Sequence, residues 1–92
     1  MKYEFKSSFD KSLKRFSETS KTEIKRLAFE IVDIIATGKA PSKGYKLTRL
    51  REDYWEARAS IKERVLFKLT RDTIQFIAVG NHEDVKRFLK RV

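Results

Sequence analysis

Polar side chains alternate along two neighbouring predicted strands in a pattern that could bind a phosphodiester. Tyr54, Glu56 and Arg58 share one face of the first strand, and Arg64 and Lys68 share one face of the next. Antiparallel pairing would bring them to one surface, because side chains two residues apart point the same way. Guanidinium groups could hold a scissile phosphate and stabilise its dianionic transition state, while Tyr54 or Trp55 could stack on a base. The alternative is an ordinary solvated sheet face on which Glu56 pairs with an arginine.

His82 is the only histidine in the chain, and it follows Gly80 and Asn81 where the last predicted strand ends. A side chain at this point can reach the exposed rim of the sheet. Because an imidazole exchanges protons near neutral pH, His82 is a candidate general acid or base. The alternative is that His82 only helps to cap the helix that follows.

The composition excludes several kinds of site. The chain has no cysteine, which rules out disulfides, thiolate zinc sites and cysteine catalysis. With one histidine and no carboxylate cluster at ligand spacing we expect no metal site, and three scattered glycines do not form a phosphate-binding loop. The acidic pairs Glu52-Asp53 and Glu83-Asp84 fit a turn and a helix start. We therefore expect no cofactor.

The charge of the chain points to an anionic partner. Its 92 residues include 22 Lys and Arg against 13 Asp and Glu, a net charge of +9, and most of the excess falls in residues 43–92. Such a surplus favours RNA, DNA or an acidic protein, although it could serve solubility alone. No apolar run reaches the roughly 18–20 residues of a membrane span, and the N-terminus lacks a signal-peptide core. We expect a cytoplasmic protein with no membrane partner.

Hydrophobic periodicity predicts the order of the elements. A short strand over residues 2–6 precedes two amphipathic helices, the first with its apolar stripe over residues 9–16. A capping box at Ser20–Glu23 begins the second helix, and Gly38 ends it just after Thr37. Asn81 caps a final helix. Between the helices, the period changes to two and predicts strands over residues 45–49, 54–61, 64–70 and 73–79.

This order indicates an α+β fold in a single domain over residues 1–92. We expect a twisted, mostly antiparallel sheet of about four strands to pack against the helical hairpin. An N-terminal strand and a C-terminal helix complete the arrangement.

Four short segments, taken in order, resemble the RelE/ParE superfamily of toxins from bacterial type II toxin–antitoxin systems. Their order and spacing match the family over essentially the whole chain, and the resemblance implies the RelE-like fold. The segments are Leu47-Thr48-Arg49-Leu50, Tyr54-Trp55-Glu56-Ala57-Arg58, Arg64-Val65-Leu66-Phe67 and Gly80-Asn81-His82-Glu83-Asp84.

The resemblance implies an mRNA endoribonuclease that works without a metal, usually on the ribosome, and so inhibits translation. Arg58 matches the arginine of the family's "Glu-Leu-Arg" strand, and Arg64 matches the arginine that contacts the scissile phosphate. His82 matches the histidine or arginine where the sheet ends. The residues that would hold the RNA are Lys46, Tyr54, Lys68 and Lys86.

The chain also departs from the family pattern. Tyr54 and Glu56 stand where the best-studied RelE pattern has lysines, so the family's proposed general base is missing. Glu56 could act as a base, or it could only orient Arg58. Phe88, six residues after His82, matches an aromatic position of some family RNases, but its place on the apolar stripe favours packing.

Two other functions fit the resemblance. A ParE-like toxin would inhibit DNA gyrase by binding protein, and an inactive family member would bind RNA without cleaving it. All family toxins imply a cognate antitoxin, whose acidic tail would suit this charge. Operator DNA would be a partner only through the toxin–antitoxin complex.

Overall fold

The computed structural model describes residues 1–38, 47–60 and 62–91. Its order of elements confirms the predicted α+β class, and no helix in these ranges is long and apolar enough to cross a membrane. The elements are β1 (Lys2–Phe5), α1 (Ser7–Leu13), α2 (Glu18–Thr37), β2 (Leu47–Arg51), β3 (Tyr54–Arg58), β4 (Arg64–Leu69), β5 (Thr73–Gly80) and α3 (His82–Lys90).

The five strands form one mixed sheet in the order β1-β5-β4-β3-β2. The run from β2 to β5 is antiparallel throughout, as predicted, because short turns join each strand to the next. The N-terminal strand joins the same sheet and runs parallel to β5, with Tyr3 beside Ile74 and Phe5 beside Phe76. As a result β5 is an interior strand with a partner on each side, which agrees with its apolar residues on both faces.

The main core lies between the helical hairpin and one face of the sheet. Phe9 from α1 and Ile24, Leu27 and Ile31 from α2 are almost completely buried there. This packing follows from the helical spacing of the apolar residues, which places them on one side of each helix. The strands contribute Ala57, Val65, Phe67, Ile74, Phe76 and Val79.

The opposite face of the sheet is covered only in part, by α3. Helix α3 packs on β5 and β4, and the buried residues Val85, Leu66 and Ala78 form a second, smaller apolar contact outside the main core. Leu66 and Ala78 are cross-strand partners, so their side chains point to the same face. The ends of β3 and β4 near Arg58 and Arg64 extend beyond this contact.

Helix α2 begins three residues earlier than its sequence predicts. The prediction of a capping box at Ser20–Glu23 is wrong, because Ser17 is the N-cap and its hydroxyl accepts a hydrogen bond from the backbone N–H of Ser20 at 3.2 Å. The turn that closes on Leu13 ends at Phe16, and Ser17 is therefore the first residue with extended backbone. The predicted end of α2 is confirmed, since Gly38 adopts a left-handed φ of 71°.

Two strand boundaries also differ from the prediction. Strand β3 ends at Arg58 rather than residue 61, because Ser60 turns the chain: its hydroxyl accepts hydrogen bonds from the backbone N–H groups of Lys62 and Glu63. Strand β5 includes Gly80, which pairs with Arg64. The predicted strand over residues 45–49 begins at Leu47 within the described residues and continues to Arg51.

The location of the core gives a first prediction. Phe76→Ala removes a ring that is fully buried, and we expect it to lower the free energy of unfolding by about 3–5 kcal/mol in urea denaturation. The matched control is Phe29→Ala, because Phe29 is 49% exposed and its loss should cost less than about 1 kcal/mol. Equal losses in the two variants would contradict this assignment of the core.

Candidate functional site

Two arginines face each other at one end of the sheet. Arg58, the last residue of β3, and Arg64, the first residue of β4, are direct cross-strand partners. Like charges opposite each other destabilise a sheet. Glu56 offsets part of this repulsion, because its Oε2 accepts a hydrogen bond from Arg64 Nε at 3.2 Å. Two guanidinium groups with one carboxylate leave a surplus positive charge at this point, which favours an anion.

The Glu56 carboxylate holds Arg64 in place. The side chains of Glu56 and Arg64 are mostly buried, with 14% and 15% of their surface exposed, whereas the Arg58 side chain is open to solvent. The second oxygen of Glu56 is buried and has no hydrogen-bond partner among the described residues. An ion pair at this depth loses much of its solvation, so each group restrains the other strongly. Of the two roles predicted for Glu56, this geometry favours orienting an arginine, and the arginine is Arg64 rather than Arg58.

An open cleft of about 450 Å³ lies beside Arg64. Three parts of the chain build it: the start of β4, the start of α3 and the junction between α1 and α2. His82 is the first residue of α3 and is exposed on this cleft, so the structure brings His82 and Arg64 together. The lining residues are Arg15, Phe16, Lys62, Glu63, Arg64, Asn81, His82 and Asp84.

A capping box fixes the position of His82. The Asn81 side chain accepts a hydrogen bond from the backbone N–H of Asp84 at 2.9 Å, and the Asp84 carboxylate accepts one from the backbone N–H of Asn81 at 3.0 Å. Asn81 therefore caps α3 as predicted, and His82 is not needed for that purpose.

The Asp84 carboxylate also binds two arginines. Arg15 Nη2 lies 2.8 Å from Asp84 Oδ2, and Arg87 Nη1 lies 3.1 Å from Oδ1. The pKa of Asp84 is lowered from its ordinary value of 3.8, first by the hydrogen bond from the Asn81 backbone and then by Arg15 and Arg87, against the opposing effect of burial. Asp84 is thus a carboxylate that joins α3 to the α1–α2 junction.

Gly80 makes this close packing possible. A Cβ atom at residue 80 would lie 2.6 Å from Asp84 Oδ2 and 2.7 Å from Arg15 Nη2. These distances are shorter than any normal contact, so a side chain at this position would displace both groups.

Sequence reasoning did not identify Arg15 and Phe16 as site residues. Phe16 falls at the end of the apolar stripe predicted over residues 9–16, and Arg15 matches no motif. Helix α1 ends at Leu13, so both residues lie in the turn that follows, where helical periodicity no longer applies. No local signal in the sequence marks them, because their partners Val79 and Asp84 are more than 60 residues away.

The other predicted RNA-binding residues lie away from the cleft. Tyr54 and Lys68 are cross-strand partners, with Lys68 Nζ 5.6 Å from the centre of the Tyr54 ring. This pair lies four residues along the strands from the pair of Arg58 and Arg64, a distance of about 13 Å. The buried side chain of Leu66 lies between the two pairs. Lys86 is exposed on α3 and lines a different groove. Lys46 lies outside the described residues.

Phe88 is half-buried on α3, as its place on the apolar stripe predicts, and the Arg91 guanidinium lies 5.9 Å from the centre of its ring. In the described part of the chain, no group of three or more His, Asp or Glu side chains could hold a metal ion.

Comparisons with known proteins find relatives by structure only. No family model and no curated protein matches the chain. A chain of the DinJ–YafQ complex from E. coli superposes with a TM-score of 0.71 at 22% identity, covering 90% of this chain and 94% of that one. The metal-bound toxin from Helicobacter pylori gives 0.69 at 20% identity, with 92% and 98% covered. This chain has their fold.

A more distant neighbour agrees with this result. A chain of the RelB–RelE antitoxin–toxin complex from Methanococcus jannaschii superposes with a TM-score of 0.63 at 17% identity, covering 91% of this chain and 95% of that one. The RelE-like fold that the sequence motifs imply is therefore confirmed over nine-tenths of the chain.

The role of Asp84 in this RelE-like fold predicts a pH dependence. Because the pKa of Asp84 is lower in the folded chain than its ordinary value of 3.8, the ionised carboxylate stabilises the fold above about pH 4, and this stabilisation is lost as the pH falls through the folded-state pKa. Asp84→Asn should lower the free energy of unfolding by about 1 kcal/mol at pH 7, and by progressively less below pH 4.

Urea denaturation of both chains between pH 7 and pH 2.5 measures the difference. The control Asp33→Asn removes a carboxylate that is exposed on α2 and should not reproduce this pH profile. A gap between the wild type and Asp84→Asn that stays constant over the whole range would contradict the assignment.

Proposed function

We propose that this chain is the toxin of a bacterial type II toxin–antitoxin system and that it cleaves mRNA. The observation that carries the proposal is the arginine–histidine cluster, in which Arg64 is held by Glu56, Arg58 stands opposite it, and His82 shares the cleft. The family resemblance of the sequence and the RelE-like fold support the same function. Translating ribosomes in the cytoplasm would present the substrate.

The chemistry follows from the residues in the cluster. The ribose 2′-oxygen attacks the adjacent phosphorus, a new P–O bond forms, and the bond from phosphorus to the 5′-oxygen breaks. Arg58 and Arg64 stabilise the extra negative charge of the pentacoordinate transition state, which is the task that a metal ion performs in other nucleases. Guanidinium groups suit it because they stay charged and present several donors to phosphate oxygens.

One proton must leave the 2′-hydroxyl and one must reach the 5′-oxygen. His82 is the imidazole exposed on the cleft, and it transfers one of these protons near neutral pH; water exchanges the other. Glu56 acts as a positioning residue through Arg64, since its carboxylate is already engaged at 3.2 Å.

Removing groups from the cluster tests the reaction. In a reconstituted translation reaction, primer extension on an abundant mRNA should show new 5′ ends within codons for the wild-type chain. Arg64→Ala and His82→Ala should each lower the cleavage rate by about 10²-fold or more. The control Arg71→Ala removes the same charge from the exposed turn at the other end of β4 and should cleave at the wild-type rate.

Expression of the chain in bacterial cells without an antitoxin distinguishes the alternative functions. Growth arrest with intact mRNA and damaged DNA would indicate gyrase inhibition, which requires no proton transfer at His82. Normal growth and intact mRNA would indicate an inactive member of the fold.

We further propose that a cognate antitoxin is the protein partner. Two of the solved structures that share the fold are toxin–antitoxin complexes, one from E. coli and one from Methanococcus jannaschii. The net charge of +9 suits an acidic partner, because complementary charge accelerates association and excludes other partners. Operator DNA would be contacted through that complex.

An exposed aromatic patch offers a place for this partner. Tyr3 and Phe29 are 46% and 49% exposed, and their rings meet edge to face at 5.7 Å. Beside them a groove of about 300 Å³ is lined by Phe5, Phe9, Asp10, Lys25 and Phe29. Exposed large apolar side chains that cluster in this way mark interaction sites. Strand β1 is also at the edge of the sheet, so a partner strand could pair with it.

Substitution in the patch tests the partner surface. The double variant Tyr3→Ser and Phe29→Ser should weaken binding of the protein encoded by the adjacent gene by about 10-fold or more. Its RNA cleavage should stay unchanged, because neither residue lines the cleft beside Arg64 and His82. Binding by calorimetry at fixed salt gives the measurement, with Thr22→Ser as a control on the exposed face of α2. Unchanged affinity in the double variant would refute this surface.

A further inference from the structure

Arg15 and Phe16 lie on the cleft but have no part in the proposed reaction. They come from the turn between α1 and α2, and they line the cleft together with Arg64 and His82. The Arg15 guanidinium carbon lies 5.4 Å from the centre of the Phe16 ring, so a flat cation is placed over an aromatic ring.

Hydrogen bonds hold the Arg15 guanidinium in place. Its Nη2 donates to Asp84 Oδ2 at 2.8 Å and to the Val79 carbonyl oxygen at 3.3 Å. The Asp84 carboxylate neutralises much of its charge, so Arg15 is a weaker phosphate ligand than Arg58 or Arg64. The side chain nevertheless stays 53% exposed. Arg15 therefore offers the cleft a fixed planar surface more than a free charge.

The position of this surface relative to Arg64 follows from the sheet register. Gly80 and Arg64 are cross-strand partners, so their side-chain positions share one face of the sheet, about 5 Å apart. The Arg15 Nη2 atom lies 2.7 Å from the place where a Gly80 Cβ would be. The guanidinium thus occupies the space that a side chain at residue 80 would fill, next to Arg64 on the same face of the sheet.

We propose that Arg15, whose guanidinium lies over the Phe16 ring, is a platform for one nucleobase of the RNA whose phosphate lies at Arg64. The inference rests on the proposed function, because it assumes RNA in this cleft. Nucleobases stack on guanidinium planes and aromatic rings with little dependence on sequence, and larger bases stack more strongly. The platform would therefore bind the base beside the scissile bond and would favour a purine over a pyrimidine modestly.

A thermodynamic cycle with an abasic substrate tests the platform. The probe is a short RNA with a 2′-O-methyl group at the reacting ribose, so that it binds without cleavage, and its affinity is measured by fluorescence anisotropy at fixed salt. Removing the base on one side of the blocked linkage should weaken binding to the wild-type chain by about 10-fold. Arg15→Lys keeps the positive charge but removes the planar guanidinium group. This variant should bind the intact RNA about 10-fold more weakly than the wild type, and it should bind the abasic RNA with wild-type affinity. Phe16→Leu should behave in the same way.

One control separates stacking from a general effect on binding. Arg71→Lys changes an arginine far from the cleft and should leave both affinities unchanged. An abasic penalty of equal size in the wild type and Arg15→Lys would overturn the platform.

The outcomes also distinguish this inference from the proposed function. If Arg64→Ala weakens binding of the blocked RNA and Arg15→Lys does not alter the abasic penalty, the platform alone is refuted. If Arg64→Ala has no effect and the wild-type chain cleaves no mRNA, the proposed function is refuted together with the platform.

Discussion

The candidate cleft of this molecule depends on the carboxylate of Asp84. It accepts hydrogen bonds from the Asn81 backbone, from Arg15 and from Arg87, and so joins the last strand, the α1–α2 junction and α3 at one point. Helix α3 has nine residues and one buried side chain, Val85, while Phe88 and Leu89 are half-buried. Because packing holds this short helix mainly through one residue, the capping box and the ion pairs of Asp84 contribute to the fixed position of its first residue, His82.

The two faces of the sheet have different roles, since one packs in the core and the other carries charged side chains. One face is covered by α1 and α2 and carries the main core, so its residues are fixed by packing. The other is covered only by the short α3, which leaves Arg58 at the end of β3 exposed to solvent. Arg58 and Arg64 can face each other there because water solvates Arg58 and Glu56 neutralises Arg64. The repulsion that remains is relieved when an anion binds, which connects an unfavourable feature of the fold with its proposed use.

The fold and the cleft depend on different features of the sequence. Structural neighbours at 17–22% identity share the arrangement over nine-tenths of the chain, because hydrophobic spacing and turns define it and many residues satisfy both. The cleft of this chain depends on particular contacts. The Glu56 carboxylate, two residues before Arg58, binds Arg64, and the absence of a side chain at Gly80 leaves room for Arg15 and Asp84.

Much of the architecture could be predicted from local patterns. Three local patterns predicted the strands, the start of α3 and the end of α2. They are the period of two in residues 47–79, the Asn81 cap and the glycine at residue 38, and each depends only on neighbours within a few residues. The errors were also local: Ser17 and Ser20 are both good caps, and Ser60 turns a chain whose alternation continues beyond it. The cluster of Arg58, Arg64 and His82 followed from the same strand order, with the help of the family resemblance.

The sequence alone supplied the candidate groups for the proposed chemistry: one imidazole, two arginines on adjacent strands and one carboxylate on the strand of Arg58. Only the tertiary structure decided which of these groups meet. It paired Glu56 with Arg64, placed Tyr54 and Lys68 at the far end of the strands, and brought Arg15 onto Gly80 across more than 60 residues. The physical reason is that periodicity specifies the face on which a side chain lies, whereas contacts between distant segments depend on how whole elements pack.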